Sequence, residues 1–458
     1  MADTPGVSIV PLLSRALHHI RSTPPRAIAS PATQPRRAAV ALIIRVVPPP
    51  SYNPSPELAP GLSEFFQLDW VNAPGARPEI LFLRRDKPDT TADAGRMSGS
   101  GPRTREAHVA FPGGKTEDGD EGGMYTAMRQ TWEEIGLDLA ENAYTPVGQL
   151  DDREVTTSLG KRLLMVLSPF VFLQLAPHTT PVDPAPGTAL HWVPLAELLP
   201  LPASMQGKSA RSPRWSHVTV DASSRLAPRH STVLRLLMRV LVGSMQFPAI
   251  LISPSASAAV PLAHTPAGDA KSQLLAIDEK RAALEHGADG EEELKLWGLS
   301  LGMTLDLLLN MTVPTVSPIA GKAPSAGRGK GKGRMSVSNE KNEEAIMSAQ
   351  ALLPPDAETL EMLRMPVVAP SLTSIFPRFS YPDVNFWIWV FGKRYRAVMR
   401  GWEASVRAGG TNDRRINWTG SALTTFYASV RKALVVVLVL RAIGVLVGLF
   451  VGTWILFR

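Results

Sequence analysis

Residues 111–139, FPGGKTEDGDEGGMYTAMRQTWEEIGLDL, restrict the backbone more than any other part of the chain. Pro112-Gly113-Gly114 breaks regular structure and frees the main chain for angles that other residues avoid. An acidic loop follows, with Glu117, Asp118, Asp120 and Glu121. A helix is then expected from about Gly123 to Ile135. Met124, Met128, Thr131 and Ile135 recur at i, i+4, i+7 and i+11, which makes them the expected buried stripe. Arg129, Gln130, Glu133 and Glu134 project from the other side. Gly136 then ends the helix as a left-handed glycine does.

Adjacent glutamates one turn below an arginine and a glutamine suit a hard cation. Mg²⁺ prefers oxygen ligands, keeps several waters and is shared with substrate phosphates. The chain has no cysteine, so thiolate metal sites, disulfides and a cysteine nucleophile are excluded. The net charge of +7 over 458 residues is modest. It becomes functional only where it clusters. No nucleic-acid partner is expected, and GRGKGKGR at 327–334 reads as a solvated flexible linker.

The spacing resembles the Nudix box: glycine, five residues, Glu, seven residues, then Arg-Glu-apolar-x-Glu-Glu-x-Gly-apolar. Here the matching residues are Gly114, Glu121, Arg129, Gln130, Thr131, Glu133, Glu134, Gly136 and Leu137. AFPGGK at 110–115 is similar to the stretch before the box in the coenzyme A diphosphatase branch of that family. So are RRAAV at 36–40, LFLRR at 81–85, WVPLAEL at 192–198 and LWGLSLGMTLDLL at 296–308. The resemblance implies a Nudix-type α/β/α sandwich with a mixed sheet over 36–312, interrupted by insertions near 202–232 and 253–290. It also implies a Mg²⁺- or Mn²⁺-dependent hydrolase that cleaves a diphosphate linkage. The favoured substrate is coenzyme A or an acyl-coenzyme A, yielding a phosphopantetheine and adenosine 3′,5′-bisphosphate. The alternatives are an (oxidised) nucleoside triphosphate diphosphatase and a catalytically weakened, membrane-tethered binding module.

Carried over position by position, Gly114, Glu121, Glu133 and Glu134 would hold the metal, Gly114 through its carbonyl. Arg129 would orient the carboxylates. Arg84, Arg85 and Lys115 are candidate substrate contacts. Three departures stand out: one extra residue between Gly114 and Glu121, Thr131 in place of an apolar residue, and Gln130 in place of a glutamate. A glutamine cannot take up a proton at neutral pH. A substitute base is therefore sought in DDREVTTSLGK at 151–161, among Asp151, Asp152 and Glu154.

Outside this region, residues 1–35 hold an arginine-rich, acid-poor apolar stripe: Ile9, Leu12, Leu13, Leu17 and Ile20. This reads either as a surface helix leading into the first domain or as a mitochondrial targeting segment. Residues 202–232 and 253–290 lack periodicity and read as loops, and 313–370 as a disordered basic linker. The aromatic and basic stretch 371–432 either lies in lipid headgroups or docks on the soluble domain. Residues 433–457, ALVVVLVLRAIGVLVGLFVGTWILF, are long enough for a transmembrane helix. Arg441 is the one charge within them. Basic residues crowd the segment's N-terminal side, from Lys393 to Lys432, and only Arg458 follows it. The expectation is a tail anchor in an intracellular membrane, the organelle left open with peroxisome and mitochondrion among the candidates, and with the bulk of the chain facing the cytosol.

Overall fold

The computed structural model describes residues 8–30, 36–50, 52, 61–85, 107–156, 163–177, 181–199, 213–222, 232–252, 294–312, 378–397 and 421–458. The first half begins with α1 (Val10–Ser22) and β1 (Arg37–Val47), followed by short α2 (Leu62–Phe65) and α3 (Asp69–Asn72). Next come β2 (Arg77–Arg85), β3 (Ala107–Ala110), β4 (Gly113–Lys115) and α4 (Gly123–Ile135). Then follow β5 (Tyr144–Gln149), β6 (Arg153–Thr156), β7 (Leu163–Gln174), β8 (Thr188–Pro194) and α5 (Leu195–Leu198). The second half adds β9 (Arg214–Asp221), α6 (Thr232–Val242), β10 (Ser244–Ile252), β11 (Leu294–Trp297) and α7 (Gly298–Thr312). The last elements are β12 (Arg378–Phe379), α8 (Pro382–Phe391) and α9 (Ser421–Leu456).

The strands form one mixed sheet in the order β12-β10-β11-β3-β2-β1-β7-β5. β1 runs parallel to β7, and β11 parallel to β3; the other pairings are antiparallel. β1 is the central strand and is buried on both faces, so it reads as a continuous apolar run rather than an alternating one. Its even-numbered residues Ala38, Val40, Leu42 and Ile44 face a core built with α1 and α7. Its odd-numbered residues Ala39, Ala41 and Ile43 face a second core with Ala127 and Ile135 of α4. Two cores on opposite faces of one sheet make the expected α/β/α sandwich.

The N-terminal stripe turns inward. Leu12, Leu13, Ala16, Leu17 and Ile20 of α1 are buried in the first core. Pro11 sits in the first turn, where its missing N–H costs nothing. The Arg15 guanidinium donates to the carbonyl of Met311 at the end of α7. This helix is a layer of the domain rather than a lead to it.

Another expectation is corrected. The supposed loop at 202–232 contains β9, paired along its length with β10. In the run Ser-His-Val-Thr-Val, Val218 is buried while its neighbours His217 and Thr219 are exposed. That alternation is a strand signal, obscured by the Ser- and Pro-rich flanks. The family-like stretch 296–308 spans two elements: Leu296 and Trp297 belong to β11, and α7 starts at Gly298, whose φ is +63°. The expected insertion at 253–290 and the linker at 313–370 lie outside the described residues.

Candidate functional site

The glycine loop is stitched to the central strand. β4 pairs with β1, opposing Ala39 to Gly114 and Val40 to Gly113. The amide of Ala41 donates to the carbonyl of Pro112 and that of Thr116 to Arg37, both at 3.0 Å. Gly113 has φ +145°, and a Cβ there would lie 2.3 Å from the Ala39 carbonyl oxygen and 2.6 Å from the Val40 Cα. Only glycine fits. At Gly114 a Cβ would meet the Gln130 amide oxygen at 2.0 Å. The bare Cα lets the Gln130 side chain lie against the loop.

Helix α4 spans the expected residues and ends at Gly136, whose φ of 65° is left-handed and whose N–H donates to the Trp132 carbonyl at 2.8 Å. The segment after β7 completes the cap: Asp183 N–H donates to the Ile135 carbonyl and Ala185 N–H to the Glu134 carbonyl, each at 2.8 Å. Two carbonyls that a helix end leaves without partners are thereby satisfied. The buried face keeps Thr131, Ile135 and, in part, Met128 of the expected stripe but not Met124. Thr126, Ala127, Thr131 and Ile135 are buried, whereas Met124 is 42% exposed. The close approach of α4 to the sheet selects small residues: a Cβ on Gly123 would lie 3.0 Å from the Phe170 ring. Both threonines spend their hydroxyls locally, Thr131 on the Ala127 carbonyl at 2.7 Å and Thr126 on Asp120 at 2.9 Å.

The outward face carries the charged constellation. Arg129 grips Asp120 with a fork, Nε to Oδ1 and Nη2 to Oδ2, both at 2.8 Å. Asp120 also accepts from the Glu117 N–H at 2.9 Å. Its side chain is only 2% exposed. The Arg129 hydrogen bonds hold the Asp120 carboxyl well below the usual carboxylate range, and Asp120 in turn keeps Arg129 charged. The remaining Arg129 donors reach Glu133 Oε1 at 2.8 Å, the more distant Glu117 and the Lys115 carbonyl. Glu133 is held on its other oxygen by Gln130 Nε2 at 2.9 Å. Glu134 receives a second fork, from Arg85 Nε at 2.6 Å and Nη2 at 2.8 Å, together with the Gly113 N–H at 3.2 Å.

The loop and helix therefore bring Gly114, Arg129, Gln130, Glu133, Glu134 and Arg85 together. Glu121 is different. It is exposed, and among the described residues no cluster of three or more His, Asp or Glu side chains is arranged to hold a metal ion. The acid that turns inward is Asp120. Counting five residues on from Gly114 reaches Asp120, whereas counting back from Arg129 reaches Glu121, and the extra loop residue separates the two answers. Two adjacent carboxylates with a backbone carbonyl still suit Mg²⁺ or Mn²⁺, because such ions take one or two carboxylates and complete their shell with water and phosphate.

The other candidates are dispersed. Lys115 is exposed at the end of β4, and Arg84 is half-buried on β2. Glu154 lies on β6, and burial raises its carboxyl pKa. No hydrogen bond or ion pair among the described residues joins it to α4. Asp152 is committed elsewhere. Its buried carboxylate accepts from Ile28 N–H, Arg37, Gln149 and Ser168 at 2.7–2.9 Å. Asp151 accepts from the Arg26 N–H at 2.8 Å. These two acids fasten the segment between α1 and β1 to the strands beside it.

The family model for the NUDIX domain matches residues 77–215. An uncharacterized protein of Schizosaccharomyces pombe is 29% identical over 232 residues. That similarity covers 50% of this chain and 60% of the relative's length. The matched span begins at β2 and includes the glycine loop, α4 and both carboxylates, while the central strand β1 precedes it. Taken with the loop–helix–loop geometry, the match shows that this chain carries a Nudix domain.

Proposed function

We propose that the chain is a diphosphate hydrolase whose site is the outward face of α4, acting on coenzyme A or an acyl-coenzyme A. The supporting observation is the pair Glu133 and Glu134, each oriented by its own arginine at the mouth of the glycine loop. Glu133 and Glu134, with the Gly114 carbonyl, would hold Mg²⁺ or Mn²⁺, which on such a site supplies Lewis-acid polarisation of a phosphoryl oxygen and a water of lowered pKa. The protein's own part is orientation and charge. Arg85 and Lys115 offer cations for the non-bridging oxygens of a diphosphate, Arg85 by its charge while its Nε–Nη2 fork holds Glu134. Arg129, anchored on Asp120, fixes Glu133. Glu154, with its raised pKa, is the candidate group for taking the proton of the attacking water. Hydrolysis adds that water to one phosphorus and breaks the bridging P–O bond, and the leaving phosphate takes the electron pair.

The test uses the full chain in detergent with Mg²⁺ or Mn²⁺ and a panel of coenzyme A, acetyl-coenzyme A and oxidised nucleoside triphosphates. Metal-dependent release of adenosine 3′,5′-bisphosphate is expected. Absence of turnover on every compound, from protein with a cooperative melt, would overturn the proposal. One observation favours a second reading, a weakened binding module: Gln130 donates to Glu133, so this carboxylate has partners without any ion. Gln130→Glu separates the two. A large gain from a nearly inactive parent supports the binding module, and little change supports the hydrolase as it stands.

We further propose that α9 anchors the chain in an intracellular membrane with the Nudix domain on the cytosolic side. Its stretch Thr425–Leu456 is long and apolar enough to cross a bilayer, and the basic residues on its N-terminal side supply the orientation.

A further inference from the structure

α9 is not a free rod. Its first half is built into the protein: Phe426, Val430, Leu434 and Val437 are buried in a third core with Val242, Met245, Phe379 and Val384. Ser429 donates to the Phe391 carbonyl at the C-terminal end of α8, and Arg441 pairs with Asp383 near its N-terminal end. α8 therefore lies antiparallel alongside α9 from about residue 429 to 441. Arg441 also donates to the Leu241 carbonyl at the end of α6 and lies 4.4 Å from the Tyr381 ring centre. Tyr381 donates to the Val240 carbonyl at 3.0 Å. Three helices thus meet around this one arginine.

The helix length then becomes decisive. Beyond Arg441 the exposed apolar part runs from Ala442 to Leu456, about 15 residues, or roughly 22 Å at 1.5 Å per residue. A hydrocarbon core of ~30 Å needs about 20 residues. Extending that surface toward the N-terminus of α9 takes in Val435, Val439 and Leu440, each more than half exposed on the stretch that packs against α8. α8 is equipped for lipid on its outer side: Phe386 is 55% and Trp389 62% exposed, one helical turn apart. α6 likewise leaves Val233, Leu236 and Val240 more than 60% exposed on one side. Cations follow the apolar surface where headgroups would lie, namely Lys393, Arg394 and Arg396 after α8 and Arg431 and Lys432 on α9. Arg396 stacks over Trp389 at 4.4 Å, an aromatic–cation pairing suited to that boundary. Arg441, which would otherwise be costly in lipid, is neutralised by Asp383.

We propose that α6 and α8 enter the bilayer beside α9, so that the domain is partly sunk into the lipid and held in a fixed orientation rather than swinging on a tether. The proposal rests on the membrane reading of α9, and the test separates the two. The chain has no cysteine, so single cysteines can be introduced cleanly. Trp389→Cys, Leu236→Cys, Leu446→Cys and the exposed control Glu141→Cys are labelled with an environment-sensitive fluorophore. The full chain is then reconstituted in phosphatidylcholine–phosphatidylserine vesicles containing nitroxide-labelled lipid. Blue-shifted, quenched emission is expected at 389, 236 and 446, and aqueous emission at 141. Quenching at 446 alone would leave an anchor but overturn the sunken domain. Aqueous emission at 446 would overturn both the anchor and the proposal. A signal at 389 without one at 236 would overturn the part assigned to α6.

Discussion

Asp120 holds the site's geometry from beneath, and replacing it with asparagine is the most direct probe of that role. The Asp120 carboxylate is 2% exposed and accepts four hydrogen bonds: two from Arg129, one from Thr126 and one from the Glu117 amide. Asparagine keeps the shape, but its amide nitrogen faces a donor and the negative charge is gone. Losing a charged partner costs about 1.5–3 kcal/mol for such hydrogen bonds, and up to 3–5 kcal/mol where the stranded charge is fully buried. Arg129 is 17% exposed and retains Glu133, so the expected loss is about 2 kcal/mol, a fall in melting midpoint of roughly 4–8 °C. The pH dependence fixes the cause. The Asp120 carboxyl pKa is depressed in the folded state, so its stabilisation is fully present above the unfolded value of about 3.9 and fades as pH falls through the folded value. The gap between wild type and Asp120→Asn should be constant from neutrality to about pH 5 and narrow below about pH 4. Glu117→Gln, at a 68% exposed partner 3.3 Å from Arg129, should change stability by less than about 0.5 kcal/mol. Thermal melts across pH, with kcat and KM measured in parallel, test this. A gap below about 0.5 kcal/mol, or one that persists unchanged to about pH 3, would mean that the Asp120 charge does not anchor Arg129.

Three further substitutions have defined outcomes. Gly113→Ala drives a Cβ into the backbone of β1; it should cost more than about 3 kcal/mol, read as loss of soluble protein or a collapsed melt. Asp152→Ala leaves Arg37 and three other donors without their acceptor and should destabilise by about 3 kcal/mol. Its kcat at low temperature should stay unchanged, because this acid supports strands rather than chemistry. Leu17→Ala, at a fully buried position in α1, should cost about 2–5 kcal/mol in a denaturant titration; a neutral result would show that α1 is not a layer of the fold.

Much of this was legible in the residues, for reasons that differ from element to element. The ends of α4 could be read because glycine on either side admits backbone angles that a continuing helix excludes. Its buried stripe was legible at Thr131 and Ile135 but not at its N-terminal end. The sheet approaches so closely that Ala127 and two threonines fit where Met124 does not, and threonine hides its polarity by bonding to its own turn. The apolar run from Ala38 to Ile44 is the pattern of a strand covered on both faces, which β1 is. β9 is a partly exposed strand whose short alternation is diluted by its neighbours. The role of Asp120 was hidden by one extra residue: two ways of counting through the loop disagree, and only the fork from Arg129 decides between them. Nor does any local pattern show that a carboxylate at 134 will meet an arginine at 85, since that contact depends on the pairing of β2 with the rest of the sheet.

The same contacts explain why Gln130 is the informative position. Without an ion, Glu133 and Glu134 are matched by Arg129 and Arg85, and the Gln130 amide supplies a further donor to Glu133. A glutamate at 130 would remove that donor and set a third carboxylate against the other two, an arrangement that needs a cation to be stable. The native residue places a neutral donor, rather than a third negative charge, beside Glu133. Gln130→Glu should therefore melt at a lower temperature than wild type in chelator and gain more than wild type when Mg²⁺ is added. Equal gains in the two proteins would mean that position 130 does not face the ion, and the ligand set built on Glu133 and Glu134 would have to be placed elsewhere on the loop.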